Sequence, residues 1–271
     1  MFFKAVDCKR YICIMKKPHI ARRIINRFVR CASFCRFKFK YPRIKIINPL
    51  KIGTFYSQEG QDFFLSSLLF NYLNQNANSW VVDVGCNHPS LFSNSLVFEK
   101  WFGCRVLAID PLEEFGSMWA SERPSAIFVT AAIGGTSDTI ELSVPQGELA
   151  DNMFSSVAGG VNKAKNLACS VRTVPCLKLA DILSSHNINE VLLMSIDVEG
   201  VELGVLKTID FEKVMVRCIV LENNSTNLYG SNEVRDYLIQ NGYLFIARIG
   251  FLDDIFVHSS MINCLPNDLL Y

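Results

Sequence analysis

The sequence predicts an α/β fold built on an open, largely parallel sheet with helices on both faces. Three observations carry this. Short apolar runs of strand length alternate with helical segments along most of the chain. The runs at 80–84, 105–110 and 191–197 each end on or beside an acid and lead into a turn. All 15 glycines lie after position 50, the first being Gly53, so the turn chemistry of a packed domain begins there.

The first 50 residues are of another kind. They carry 14 Lys and Arg against the single acid Asp7, a net of +13, whereas the remaining 221 residues carry 13 against 25, a net of −12. The formal charge of +1 therefore hides a basic arm, 1–50, joined to an acidic body, 51–271. On a helical wheel of residues 19–35, Ile20, Ala21, Ile24, Ile25, Phe28, Val29, Cys31, Ala32 and Cys35 share one half. Arg22, Arg23, Asn26, Arg27, Arg30 and Ser33 share the other, with Phe34 on the wrong side. Such a cationic amphipathic helix can lie in the interface of an anionic membrane, and peripheral membrane contact through 19–35 is the expectation. Docking on the chain's own body or on a partner explains the same pattern, and an organellar presequence or a nucleic-acid tail fits it less well. No secretory signal and no membrane span is expected, because the uncharged stretch 63–82 holds Asn71, Asn74, Gln75, Asn76 and Asn78.

The body is long enough to fold as one domain, burying roughly 70% of its unfolded surface. Its elements follow in order. Gln58-Glu59-Gly60-Gln61-Asp62 opens a helix, with Ser57 as N-cap and Phe63, Phe64, Leu68, Leu69, Tyr72 and Leu73 at helical spacing. Trp80-Val81-Val82-Asp83-Val84 reads as a buried strand running into a ligand loop at Gly85. A helix over 93–101 follows, whose Phe98 and Trp101, with Phe92 before them, are expected in the core. A second strand then ends at Asp110. Further strands fall near 127–130, 191–197 and 218–222, with helices near 112–121, 178–185, 201–209 and 231–241. Runs at 139–144 and 171–174 look like extra short strands around a loop containing 151–156, a segment that can serve as a lid. The runs at 243–249 and 255–258 are joined too closely for a parallel crossover, so they form an antiparallel pair. Asp83, Asp110, Asp197 and Glu222 then face one crevice outside the strands' carboxyl ends.

The loop after the first strand, Asp83-Val84-Gly85-Cys86-Asn87-His88-Pro89, has one glycine, where a pyrophosphate-binding turn needs three. A ligand with a ribose diol and no phosphate remains. S-adenosylmethionine has that shape, and Asp110 is placed to accept both hydroxyl hydrogens. The ten cysteines show no CxxC pair and no zinc-like spacing with histidine, so they read as reduced thiols of a cytoplasmic protein.

Ser57-Gln58-Glu59-Gly60-Gln61-Asp62, Val82-Asp83-Val84-Gly85-Cys86-Asn87-His88-Pro89, Ile109-Asp110-Pro111, Ala131-Ala132-Ile133-Gly134 and Ser195-Ile196-Asp197-Val198-Glu199-Gly200 together resemble the FkbM-type S-adenosylmethionine-dependent methyltransferases. The resemblance spans roughly residues 55–260 and leaves the arm outside. It implies a Rossmann-like, seven-stranded class I methyltransferase sheet with an antiparallel C-terminal strand. It also implies S-adenosyl-L-methionine as cofactor, held by Asp83, Gly85, Asn87, Asp110 and Ile133, and methyl transfer to a hydroxyl of a sugar or natural product. The sequence departs from the pattern at His88-Pro89-Ser90, where family members often carry a second glycine. Proline there stiffens the loop and removes an amide donor.

A hydroxyl acceptor needs a base. Asp197 with Glu199 is the first candidate pair and His88 the second, its ordinary pKa near 6.5 being suited to proton abstraction near neutrality. The plainer reading of Asp197-Val198-Glu199-Gly200 is a carboxylate cap and a tight turn leading into the next helix. No metal is expected, although Asp197, Glu199 and Glu222 are of the type that holds Mg²⁺. The sequence thus predicts an O-methyltransferase acting on a glycan, glycolipid or related small hydroxylated acceptor at the cytoplasmic face of a membrane. A non-catalytic adaptor that keeps the fold is the alternative. The acidic body argues against nucleic acid as a partner.

Overall fold

The computed structural model describes residues 55–73, 78–135, 137–146, 155–157, 168–223, 232–249 and 252–265. The arm with its helix at 19–35, and residues 151–154 of the lid segment, lie outside the described residues.

In chain order the elements are α1 (Gln61–Tyr72), β1 (Trp80–Val84), α2 (Leu96–Phe102), β2 (Arg105–Asp110), α3 (Glu114–Glu122), β3 (Ile127–Thr130) and β4 (Ala132–Ile133). Then come β5 (Thr139–Pro145), β6 (Ser156–Val157), β7 (Cys169–Leu177), α4 (Leu179–Ser185), β8 (Glu190–Ile196) and α5 (Glu202–Leu206). The chain continues through β9 (Met215–Glu222), α6 (Asn232–Gln240), β10 (Tyr243–Ile249), β11 (Asp253–His258) and a 3₁₀ turn, Ser259–Cys264.

Seven strands form one sheet in the order β3-β2-β1-β8-β9-β11-β10. The pairs from β3 to β9 are parallel, and β11 runs antiparallel to both of its neighbours. The predicted seven-stranded sheet with an antiparallel C-terminal strand is therefore present. Because the side chains of a strand alternate between faces, the sheet divides its apolar residues into two layers. Val81, Val106, Ala108, Leu193, Cys218 and Val220 pack on one face with Phe63, Leu68, Val97, Phe98, Phe115 and Trp119 from α1, α2 and α3. Val82, Val84, Leu107, Ile109, Met194 and Ile219 pack on the other with Leu179, Leu183, Leu206 and Leu238 from α4, α5 and α6.

The chain leaves β1 towards β2 on one side and later returns to β8 on the other. Loops leaving β1 and β8 therefore diverge at the centre of the sheet, which opens a crevice at their carboxyl ends. The segment between β3 and β8 forms a second sheet, β4-β7-β5-β6, in which the predicted short strands are a longer antiparallel pair. Arg172 of β7 ties that sheet to α3 through Glu114, at 2.9 Å.

Some local expectations change. Helix α2 starts at Leu96 and not at Ser93: Ser95 holds the N-cap position, and Ser93 Oγ accepts from Leu96 N at 3.1 Å from outside the helix. Trp101 is 43% exposed and not in the core: it shares a helix face with the buried Val97 and Phe98 but lies in the last turn of a seven-residue helix, next to the Gly103 cap. Ser57 is not the N-cap of α1. Gly60 holds that position in a left-handed conformation, while Ser57 Oγ accepts from Asp62 N at 3.2 Å from outside the helix.

Candidate active site

The centre of the crevice is a backbone contact. Gly85 follows β1 with φ at 78°, and an added Cβ would meet the Asp197 carbonyl oxygen at 1.8 Å. Only glycine permits both this conformation and this approach. Gly85 N and Cys86 N donate to Ile109 O at 2.9 and 3.2 Å, and Asp197 N donates to Val84 O at 2.9 Å. The loops after β1, β2 and β8 are therefore locked to one another.

Asp110, at the end of β2, accepts from Asn87 N through Oδ2 and from Leu112 N through Oδ1, both at 2.9 Å. Burial pushes its pKa up to about 6 despite these donors. Each oxygen keeps a second lone pair, which suits a ribose diol. Asp83 is buried beneath the loop, and burial raises its pKa against the opposing effects of Ser95, Arg123 and Ser195. Its Oδ2 has no hydrogen-bond partner among the described residues. Asn87, with φ at 47°, is fixed at three points. Its N–H is held by Asp110, its carbonyl accepts from Trp119 Nε1 at 2.7 Å, and its Oδ1 accepts from His88 N at 2.8 Å. Ile133 is placed differently. Ala131 N donates to Asp110 O at 3.1 Å, which brings the segment near, but the Ile133 side chain belongs to the apolar core.

The second half of the site is acidic. Asp197 opens to solvent at the end of β8, yet protein atoms crowd it, as do Glu222, Glu199, Asp253 and Glu202. Desolvation, followed by these four carboxylates in that order, holds its pKa well above the usual range. The plain expectation that Asp197 or Glu199 caps the next helix is not met. Val201 holds the N-cap position of α5 without a side-chain cap, and Glu202 holds the turn before the helix, its Oε1 accepting from Gly200 N at 2.9 Å and Val198 N at 3.4 Å. Glu199 sits at φ 59° and Gly200 at φ 105°, a turn that points the Glu199 carboxylate back towards Asp197. Among the described residues, Asp197, Glu199 and Glu222 form a group in which each offers an oxygen within 4.8 Å of the others. One hard cation or one shared proton relieves the repulsion of such a group.

His88 is built as a donor. Its Nδ1 accepts from Ser90 N at 3.1 Å and Leu91 N at 3.2 Å, so the neutral ring carries its proton on Nε2. In that tautomer the Nδ1 lone pair is engaged by the two backbone N–H groups.

Several contributors escape a reading of the sequence alone. Asp253 begins β11 and lies in register with Glu222, and Gln61 Nε2 holds its Oδ2 at 2.6 Å. The signal is the antiparallel direction of the last strand, which puts its first residue, not its last, at the crevice. Burial and Glu222 push the Asp253 pKa up to about 7. Arg123 and Ser95 around Asp83 carry no motif, and Ser195 lies in one that gave it no role.

The sequence profile of the methyltransferase FkbM domain matches residues 83–245, more than half of the chain, from the acid under the loop to β10. The chain belongs to the FkbM methyltransferase family. Its cofactor is S-adenosylmethionine. No protein among those with curated functions matches the sequence at a significant level. Similar solved structures include a fibrillarin pre-rRNA processing protein of Methanococcus jannaschii, at 12% identity over 81% of this chain and 84% of that one, with a TM-score of 0.40. A protein of Corynebacterium glutamicum is similar at 10% identity over 88% and 97%, with a TM-score of 0.44. Phosphoethanolamine N-methyltransferase 1 of Haemonchus contortus, solved with phosphoethanolamine and S-adenosylhomocysteine, is similar at 11% identity over 88% and 46%, with a TM-score of 0.35.

The residues present fit the family's cofactor. Asp110 supplies two carboxylate oxygens at a strand end, Gly85 leaves the backbone bare at the crevice, and Asp83 Oδ2 is a buried acceptor. No helix among the described residues is long and apolar enough to cross a membrane.

Proposed function

We propose that this methyltransferase acts on a hydroxyl of a glycan, glycolipid or related metabolite, with Asp197 accepting the hydroxyl proton. S-adenosylmethionine, when bound, supplies a methyl group made electrophilic by its sulfonium. Asp110 binds the ribose diol, and Asp83, Gly85 and Asn87 shape the loop against which the rest of the cofactor lies. The observation that carries the reading is the crowding of Asp197 by other carboxylates at the crevice, which raises its affinity for a proton. Because Glu202 holds the turn through Gly200 N and Val198 N, the Asp197 carboxylate is not consumed in doing so.

The test is methyl transfer to a panel of hydroxylated glycans and glycolipids by the wild type and Asp197→Asn. Loss of a general base is expected to lower kcat about 100-fold or more while cofactor affinity holds. Full activity in the variant would place the base elsewhere. The spacing of Asp197, Glu199 and Glu222 favours a second reading, in which a divalent cation orients the acceptor. Activity that survives chelation supports the base alone. Activity lost to EDTA and restored by Mg²⁺ supports the cation.

The arm supports a place at an anionic membrane on the cytoplasmic side, where lipid-linked acceptors occur. Its +13 charge offsets a body whose −12 is repelled by such a surface. Full-length protein is expected to sediment with phosphatidylserine vesicles and protein lacking 1–50 is not. Equal sedimentation would remove this placement.

A further inference from the structure

The loop that departs from its family at His88-Pro89 is held from beneath by a buried arginine that no motif includes. Arg123 follows α3 and is almost wholly buried. Its Nη1 lies 3.1 Å from Pro89 O, 3.2 Å from Ser93 Oγ and 3.0 Å from Ser95 Oγ. Its Nε donates to Glu99 Oε2 at 2.5 Å, and its guanidinium stacks 4.3 Å above the Trp119 ring. Trp119, one helical turn earlier, donates through its indole N–H to Asn87 O. The carbonyls on either side of His88-Pro89 are thus both drawn towards the end of α3. Proline brings a carbonyl and no N–H, and the carbonyl is the part that Arg123 uses.

We propose that Arg123 is the positioning residue of the cofactor loop, acting on Pro89, Ser93 and Ser95 directly and on Asn87 through the Trp119 ring it stacks on. This rests on the cofactor lying against the Gly85–Asn87 turn. A rigid turn that cannot donate from position 89 needs an external clamp to keep its shape, and a delocalised, permanently charged fork provides one without a competing titration. The charge has a further effect. Asp83 is buried with Asp110 and Cys86 nearby, and Arg123, itself paired with Glu99, is the positive group acting on it. Removing Arg123 therefore raises the pH at which Asp83 takes up a proton.

The experiment is calorimetric titration of the full-length chain with S-adenosylmethionine between pH 5 and 8. It compares wild type with Arg123→Ala, Arg123→Lys, Trp119→Phe and, for the site itself, Asp110→Ala. Arg123→Ala is expected to weaken binding roughly 10- to 100-fold, the scale of hydrogen bonds to a charged group. Its acid-side loss of binding is expected to move to higher pH. Arg123→Lys should restore the pH dependence but not the affinity, because it returns the charge without the fork, and a purely structural role would not separate the two. Trp119→Phe keeps the stack and deletes only the indole donor, so it stands in where Arg123→Ala does not fold, with about a fivefold loss expected. Wild-type affinity in the arginine and tryptophan variants, with binding lost in Asp110→Ala, would overturn the proposal and leave the site standing. Unchanged affinity in Asp110→Ala as well would overturn both.

Discussion

Asp253 shows what one residue adds when strand direction brings it to a site. Its carboxylate is one of four that raise the pKa of Asp197, because a like charge disfavours the ionised form. Asp253→Asn removes that charge and keeps an oxygen for Gln61. The rising limb of the pH–rate profile, which reports deprotonation of the base, is expected to move to lower pH, as measured by kcat between pH 5 and 9. A limb that stays in place would mean that Asp197 does not feel this neighbour. The acids at the ends of β1, β2, β8 and β9 were legible in the sequence, since a strand-length apolar run ending in an acid is a local pattern. Gln61 and Asp253 are 192 residues apart in the chain, and no local pattern connects them. The same limit hid Arg123, whose side-chain hydrogen-bond partners are 24 to 34 positions away.

At the scale of elements, β9, β10, β11 and α6 meet on Asp254. This fully buried carboxylate accepts from Arg235 Nε at 2.9 Å, Arg248 Nη1 at 2.7 Å and Asn223 Nδ2 at 2.7 Å. Arg248 Nη2 also holds Asn223 O at 3.0 Å, so the residue after Glu222 is fixed by the neighbouring hairpin. Asp254→Ala strips the shared carboxylate from two largely buried guanidiniums. Denaturant unfolding should show a loss of about 3 kcal/mol, and a loss under about 1 kcal/mol would mean that solvent replaces the carboxylate easily. Most elements were legible from period and length, including the antiparallel β10–β11 pair, whose short connection allows nothing else. The boundaries that moved did so for tertiary reasons. Ser93 and Ser95 are recruited by Arg123, and every residue of α1 from 61 to 69 is buried, so an apolar face could not be told from its opposite.

Taken over the whole molecule, Asp62, Asp83, Asp110, Asp197, Glu202 and Asp253 all have pKa values raised by burial. A carboxyl whose folded pKa exceeds its unfolded value contributes stability that is complete below the unfolded value, near 4. That contribution is lost as the pH rises through the folded value, about 6 for Asp110 and about 7 for Asp253. The protein without cofactor is therefore expected to unfold at a lower temperature at pH 8 than at pH 5. The difference is roughly 5 °C, as a loss of about 2 kcal/mol produces in a domain of this size, and scanning calorimetry across this range measures it. A flat profile would mean that the acids ionise without cost to the fold. Strand β11 lies between β9 and β10, and among the described residues β10 has no other neighbour in the sheet. During synthesis, β10 thus leaves the ribosome with nothing to pair with until the strand after it arrives. The same late strand delivers Asp253 to Asp197 and Glu222, made earlier in the chain, so the crevice acquires this carboxylate and β10 its partner in one event.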